Sequence, residues 1–409
     1  MHFFNKHQTL HNLQYGFRQG SSTELAVANI CEDLSNAIDG SSINCTAFID
    51  LAKAFNTVNH DILCKKLNKY GIRGEPLRLI ESYLASRWQY TTTNNVKSAL
   101  MEINVGVPQG SSLGPLLFLV YINDLPLYTS LKVRLFADDA CLSYENENPQ
   151  IIEEVVNREL GKVNEWLLDN KLFLNFSKST YLIFTNKRIQ HNFSIKLNHI
   201  EIKQSNYTKY LGITIDNKLT WQQHIMNLKS KLARNNYTLY KLSRYVNENT
   251  LRTVYFSLIH PFLQYCISAW GGAAESHILL LERLQKQAIR NICRQPPLTH
   301  TDPLFLSQKI LKLTDIHEFQ VGKLIYDRLA NNPIGENNLI KIQDIHSYNT
   351  RASSNDNLYH QYVRTNKGIG SLKHQGPKIW MKIPTEIKKS DTIFHFKSKF
   401  KQHLLNKYV

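Results

Sequence analysis

Val133-Arg134-Leu135-Phe136-Ala137-Asp138-Asp139-Ala140-Cys141-Leu142 sets two adjacent carboxylates inside a largely apolar, strand-like run. Charge repulsion and desolvation both oppose that arrangement unless a cation offsets them. A second apolar run, Thr46-Ala47-Phe48-Ile49, ends in a third carboxylate, Asp50. Two strands that deliver three carboxylates to one point describe a two-metal phosphoryl-transfer site. Taken alone, Asp138-Asp139 also fits a solvated hairpin turn, where Asp is common.

Working outward, the chain up to about Asp216 alternates short β-like runs with amphipathic helices, and from about Trp221 it is almost wholly helical in period. A helix is expected after Ser21-Ser22-Thr23-Glu24, ending near Gly40. The strand Cys45–Leu51 follows, then a helix from Asp61 closed by Gly71 and another opened by Pro76. A strand is expected over Met101–Val105 and a helix over Leu116–Leu125, stopped by Pro126. The Asp138-Asp139 hairpin comes next, then a helix over Pro149–Asp169 and strand-like runs at Leu172–Phe176, Tyr181–Phe184 and Tyr210–Ile215. Helices on one face of a small antiparallel sheet make an α+β domain.

The chain has 409 residues, 42% hydrophobic and 20% charged, which implies a globular protein of two or three domains. Its formal net charge of +16 favours a polyanionic partner, nucleic acid first and an anionic membrane second, against the alternative of solubilising surface charge. No signal peptide is read at the N-terminus, and the longest apolar run, Leu116–Ile122, is too short to span a bilayer. The six cysteines form no C-x-x-C pair, which argues against a zinc knuckle or disulfide framework and for reduced thiols inside a cell.

Gly106-Val107-Pro108-Gln109-Gly110-Ser111-Ser112-Leu113-Gly114-Pro115 lets backbone approach a planar base pair and opens a helix whose N-terminus favours anions. It lacks the Gly-Lys-Ser/Thr of a Walker loop, and it also fits a loop that merely caps a helix. Phe55, five residues past Asp50, either blocks a ribose 2′-hydroxyl or packs in the core. Arg18 is a candidate phosphate contact or a surface residue. Between Asn217 and Asn247 there is no Asp or Glu, while Lys229, Lys231 and Arg234 flank the apolar stripe of Ile225, Leu228, Leu232 and Leu239. One buried and one cationic face suit a helix that tracks a phosphate backbone, or a solvated surface helix. The C-terminus repeats the pattern with Phe396, Phe400 and Leu404 among lysines.

Together these residues resemble the reverse transcriptase of non-LTR (LINE-type) retrotransposons, close to the jockey-like group. Gln14-Tyr15-Gly16-Phe17-Arg18 resembles the second conserved block of that family. Phe48-Ile49-Asp50-Leu51-Ala52-Lys53-Ala54-Phe55 resembles motif A, with a metal-binding Asp and an aromatic steric gate. Gly106–Pro115 resembles motif B, which packs on template and nascent base pair, and Phe136-Ala137-Asp138-Asp139 resembles motif C. Asn175–Lys178 fits motif D, near the triphosphate, and Tyr210-Leu211-Gly212 fits motif E, the primer grip. His260-Pro261, Trp270-Gly271, Gly376-Pro377 and Trp380 extend the likeness into the thumb and C-terminal end. Asn56 and Asn59 depart from acids common in the family, and no second carboxylate cluster suggests a ribonuclease H.

The resemblance implies a right-hand polymerase: a truncated fingers region over 1–44, a palm with inserted fingers helices over 45–216, a helical thumb over 217–300 and a basic helical region over 301–409. The first conserved block and the endonuclease of the family belong upstream of Gln14, so an N-terminally truncated element is expected. The implied activity is RNA-directed DNA synthesis. Asp50 and Asp138 would bridge two Mg²⁺, or Mn²⁺ in their place, with Asp139 supporting. The implied nucleotide-binding residues are Phe55, Gln109, Gly110, Lys178 and Arg18. Primer and template fall to Pro108, Tyr210, Leu211, Gly212, Lys229, Lys231 and Arg234. The partners would be an RNA template, a DNA primer or target DNA, and dNTPs, with no membrane, in nucleus or cytoplasm. An inactive remnant that only binds nucleic acid is the alternative, and Phe55 disfavours an RNA-dependent RNA polymerase.

Overall fold

A computed structural model describes residues 2–7, 9–188, 190–197, 200–331, 339–345, 348 and 356–408. The chain builds core strands β1 (Ile43–Asp50), β2 (Lys132–Phe136), β3 (Asp139–Asn146), β4 (Thr180–Phe184) and β5 (Lys203–Gln204). Its longer helices are α1 (Thr23–Asp39), α2 (His60–Lys69), α3 (Glu75–Leu84), α4 (Gly114–Ile122), α5 (Pro149–Asp169), α6 (Gln222–Leu242), α7 (Glu248–Leu258), α8 (Glu275–Ile292), α9 (Leu313–Asn331), α10 (Leu372–Lys382) and α11 (Ile393–Leu405). They form two compact units, Met1–Thr23 with Ser42–Thr208, and Glu24–Ser41 with Lys209–Val409.

The first unit is organised by one sheet in the order β5-β4-β1-β3-β2, antiparallel except for the parallel β5–β4 pair. Side chains alternate faces along a strand. Cys45, Ala47 and Ile49 of β1 therefore share a face with Val133, Leu135, Ala140, Leu142, Tyr181 and Ile183. All of these join one apolar core with Leu117–Ile122 of α4 and Ile152, Val156, Leu160 and Val163 of α5. The opposite face of β1 carries Asn44, Thr46, Phe48 and Asp50, so strand period and register decide where Asp50 points. Asn59 caps α2 through Ile62 N–H and Asn148 caps α5 through Gln150 N–H, both capping motifs with non-helical backbone at the cap. The α+β architecture matches the sequence reading, as do the bounds of β1 to within two residues and of α5 in full.

Two local expectations are corrected. Leu172–Phe176 is not a strand. It makes one isolated bridge, Leu174 to Leu51, and its backbone bonds to Ala52 and Asp50 instead. Tyr210–Ile215 is not one strand but the tip and return of a hairpin, Tyr207–Tyr210 and Ile213–Asp216, with Leu211 and Gly212 both at positive φ. Positive φ at both central residues is what a two-residue I′ turn requires, and the glycine meets it without strain.

The second unit is helical. Phe396, Phe400 and Leu404 form the buried face of α11, as their spacing predicts. Tyr326 stacks on Phe396 at 4.5 Å between ring centroids, and Trp380 and Phe400 extend the cluster. Buried Arg328 of α9 pairs with Glu32 of α1 at 3.3 Å and also donates to Asn29. Among the described residues, no helix is long and apolar enough to cross a membrane.

Candidate active site

The register of β1 against β3 puts Asp50 directly opposite Asp139, and Asp138 occupies the two-residue turn between β2 and β3. The three carboxylates named from the sequence are thus gathered at one end of the sheet by strand pairing alone. Ala137, the other turn residue, has φ +56°, a conformation that costs a residue with a Cβ about 1–3 kcal/mol and persists only where its surroundings impose it. Those surroundings are visible. Leu135 N–H donates to Leu13 O and Tyr15 N–H donates to Leu135 O, so the segment before Gly16 lies along β2. Gln14, fully buried, accepts from Gly16 N–H (2.8 Å) and Ala137 N–H (3.3 Å) through Oε1. A Cβ at Gly16 would sit 2.5 Å from Ala137 N, so no larger residue fits there.

Asp50 is held from the other side. Its carbonyl accepts from Asn175 N–H (2.9 Å), and Ser179 Oγ lies 3.4 Å from its amide. Lys178 Nζ lies 3.5 Å from Asp50 Oδ2. Burial raises the affinity of Asp138 for protons, with the charge of Asp50 adding to it. Asp139 is pushed up to about 6 by burial and then by Asp138 and Asp50, with Lys178 offsetting only part. The site holds more negative charge than its own cation balances. Carboxylate oxygens are hard donors, and this donor set fits a Mg²⁺-type cation. Among the described residues, no group of three or more His, Cys, Asp and Glu is placed closely enough to hold a metal ion by itself. A Mg²⁺-type cation typically takes one or two carboxylates and completes its shell with phosphate and water.

The remaining first-unit candidates frame this end of the sheet. Phe55 stacks on buried Phe118 (4.6 Å) and meets Phe17 edge-on (6.5 Å). Gln109 Nε2 donates to Asn56 Oδ1 (2.9 Å), while Val107 N–H donates to Phe55 O and Gly106 N–H to Val58 O. The loop holding Pro108, Gln109 and Gly110 is thereby tied to the segment that follows Asp50. A cavity of about 470 Å³ opens here, lined by Asn56, Arg87, Gly106, Pro108 and Gln109 among others. Arg18 is engaged with its own segment, donating through Nη1 to His11 O (2.7 Å) and Gln14 O (3.3 Å).

In the second unit, Tyr210 is buried, and Tyr265 Oη donates to Leu211 O (2.6 Å) while its ring lies 3.4 Å from where a Gly212 Cβ would be. Gly212, Lys231 and Arg234 line a cavity of about 510 Å³ with Lys209, His224 and Tyr265, whereas Lys229 lies outside that lining. Lys229, Lys231 and Arg234 are all exposed on α6. Sequence reasoning did not single out the supporting roles of Gln14, Gly16, Asn175 and Ser179. Gln14, Gly16 and Asn175 enter the sequence reading only as parts of the blocks Gln14–Arg18 and Asn175–Lys178, and the partners that give them and Ser179 their roles lie more than a hundred residues away.

A family model described as "Reverse transcriptase (RNA-dependent DNA polymerase)" matches residues 2–215. The chain is 30% identical over 288 residues to the probable RNA-directed DNA polymerase from transposon X-element of Drosophila melanogaster, covering 68% of this chain and 31% of that protein. It is 28% identical over 317 residues to the RNA-directed DNA polymerase from mobile element jockey of the same fly, covering 74% and 34%. The chain thus spans about a third of the length of these curated relatives. Among solved structures, apo telomerase from Candida tropicalis aligns with a TM-score of 0.39 at 12% identity, over 80% of this chain and 57% of that one. Telomerase from Candida albicans aligns with a TM-score of 0.36 at 14% identity, over 75% and 53%. RNA-directed DNA polymerases of mobile elements are thus among its relatives, and with the family model matching just over half of its residues the chain belongs to the reverse transcriptase family.

Proposed function

We propose that this chain is an RNA-directed DNA polymerase that adds dNTPs to a primer 3′-hydroxyl on an RNA template. The observation that carries the reading is the partly buried cluster of Asp50, Asp139 and Asp138, faced by one lysine. Reverse transcriptases use divalent metal ions, and here Asp50 and Asp138 would hold two Mg²⁺, or Mn²⁺, with Asp139 supporting. When bound, such ions lower the pKa of the attacking hydroxyl and stabilise the leaving oxygen.

The residues of the chain supply the rest. Gln14 and Gly16 fix the turn that carries Asp138, and Ser179 and Asn175 fix the end of β1. Lys178 keeps positive charge beside Asp50, where a triphosphate would enter. Phe55, set against Phe118, presents a ring to the sugar and disfavours a 2′-hydroxyl. Gln109 and Gly110 sit in the loop that would meet the nascent base pair, with Pro108 on the template. Arg18 acts by holding its own segment in place. Residues 45–216 would serve as palm and 217–300 as thumb, with Tyr210, Leu211, Gly212, Lys229, Lys231 and Arg234 on primer and template and 301–409 as a basic helical region. The DNA partner would be a primer or the target DNA.

The test is dTTP incorporation on poly(rA)/oligo(dT) with Mg²⁺, beside Asp138→Ala. Loss of a metal ligand removes several kcal/mol of transition-state stabilisation, so the variant is expected to lose about a thousandfold or more. Comparable Mg²⁺-dependent incorporation by both proteins would overturn the reading.

A further inference from the structure

Helix α6 carries a feature that primer and template contact does not require. Its apolar stripe, Ile225, Leu228, Leu232 and Leu239, is buried. Toward its C-terminal end, Tyr237, Tyr240 and, just past it, Tyr245 are 62%, 43% and 83% exposed. Full burial of a large apolar side chain is worth about 1.5–3 kcal/mol, so a row of rings left in water is not explained by packing. Two of the rings have a cation against them. Lys241 Nζ lies 5.4 Å from the Tyr237 ring centre, and Arg244 lies 5.1 Å from that of Tyr240 while donating to its hydroxyl oxygen (2.8 Å). No acidic side chain occurs between Asn217 and Asn247 to compete for those cations.

We propose that Tyr237, Tyr240 and Tyr245, with Lys241 and Arg244, form a stacking platform for single-stranded nucleic acid. This rests on the reading of α6 as a nucleic-acid-binding helix and names the strand state it takes at this end. Every base has a π-face that stacks on an aromatic ring, and a cation beside the ring takes the adjoining phosphate. In a duplex those faces are already stacked on neighbouring bases, so it offers this surface phosphates alone. An anionic lipid surface shares the charge preference and is the competing partner.

The experiment compares binding of a labelled oligo(dT) single strand, the same strand paired with oligo(dA), and phosphatidylserine-containing vesicles. The proteins are the full chain, Tyr237→Ala/Tyr240→Ala, Tyr237→Phe/Tyr240→Phe, and Lys241→Ala/Arg244→Ala. Removing a stacked ring is expected to weaken single-strand binding about fivefold or more, the low end of what base stacking contributes, and to do so more for the single strand than for the duplex. The Phe variant is expected to bind as the parent does, which also separates stacking from misfolding. The Lys/Arg variant is expected to flatten the salt dependence by about 0.7 in slope per cation on a single strand. The inference is overturned if the Ala variant binds the single strand like the parent, if its loss is equal on the duplex, or if the rings matter for vesicles and not for the oligonucleotide. Binding needs no catalysis. A chain that fails to extend a primer yet shows this ring dependence sinks the polymerase reading and keeps the platform, and the reverse result does the opposite.

Discussion

The first unit withdraws two sets of acids from water, one fully and one in part, and treats them in opposite ways. Glu159 of α5 is 1% exposed, and its carboxylate accepts from Ser130 N–H (2.8 Å), Thr129 Oγ1 (3.2 Å), Arg158 Nε (3.1 Å) and Lys162 Nζ (2.8 Å). Burial alone would raise its pKa, but these donors outweigh it and hold it at about 2. In the aspartate cluster Lys178 pairs with Asp50 at 3.5 Å, and Asp139 is pushed up to about 6. Burial is therefore not what marks a functional acid here. Glu159 is a satisfied charge that ties the loop before β2 to α5, whereas the aspartates hold repulsion that Lys178 offsets only in part and that an added cation would relieve.

The sharpest way to break the comparison is to move the aspartate turn without touching a carboxylate. Gly16→Ala drives a Cβ against Ala137 N and shifts the peptide that presents Asp138. A displacement of that size at a reacting centre costs about a hundredfold, so incorporation should fall by roughly that factor while binding of the primer–template duplex changes far less. Wild-type incorporation by this variant would show that Gln14 and Gly16 do not position the site.

Glu159→Ala tests the satisfied acid. It removes a buried carboxylate together with the hydrogen bonds it accepts from Ser130 N–H, Thr129, Arg158 and Lys162, and we expect a loss of about 1–3 kcal/mol in denaturant stability. The sign of the pH dependence follows from a folded pKa of about 2 against an unfolded one near 4.5. Its contribution is complete above pH 4.5 and drains away as pH falls toward 2, and Glu159→Gln should lack that limb of the acid-unfolding curve. An acid limb unchanged in the Gln variant would remove Glu159 from the contrast.

The smallest effect is expected at Lys178. Its side chain is 68% exposed, so its pairing with Asp50 adds little to stability. Lys178→Met should change stability by no more than about 0.5 kcal/mol while raising the KM for dTTP. A large loss of stability would mean that the aspartates rely on that ion pair as Glu159 relies on its donors.

This contrast also explains what was legible in the sequence. Asp50, Asp138 and Asp139 stood out because acids at the ends of apolar runs conflict with strand patterning, and the conflict is itself the chemistry. Glu159 carried no such signal, lying one helical turn from ordinary charged residues. The α5 bounds were legible from Asn148-Pro149 and a clean 3.6-residue period. Leu172–Phe176 misled because a short apolar run has no period of its own, and here its backbone is consumed by Asp50 and Ala52. In Tyr210–Ile215 the β-branched flanks outweighed Leu211-Gly212, a turn that shows only through two positive φ values. Arg18 looked free because its partners, the carbonyls of His11 and Gln14, carry no residue identity. The positioning roles of Gln14, Gly16 and Ser179 were hidden because their partners are set by sheet topology.

The most direct measurement takes one variant through two readouts. Asp138→Asn keeps the size of the side chain and removes one of the repelling charges. Primer extension with Mg²⁺ and denaturant unfolding in chelator are measured on the same preparation. The account predicts that incorporation is lost while metal-free stability is equal to or higher than that of the parent. Retained incorporation, or a loss of stability of the kind expected for Glu159→Ala, would contradict the claim that these carboxylates are held unsatisfied for a cation.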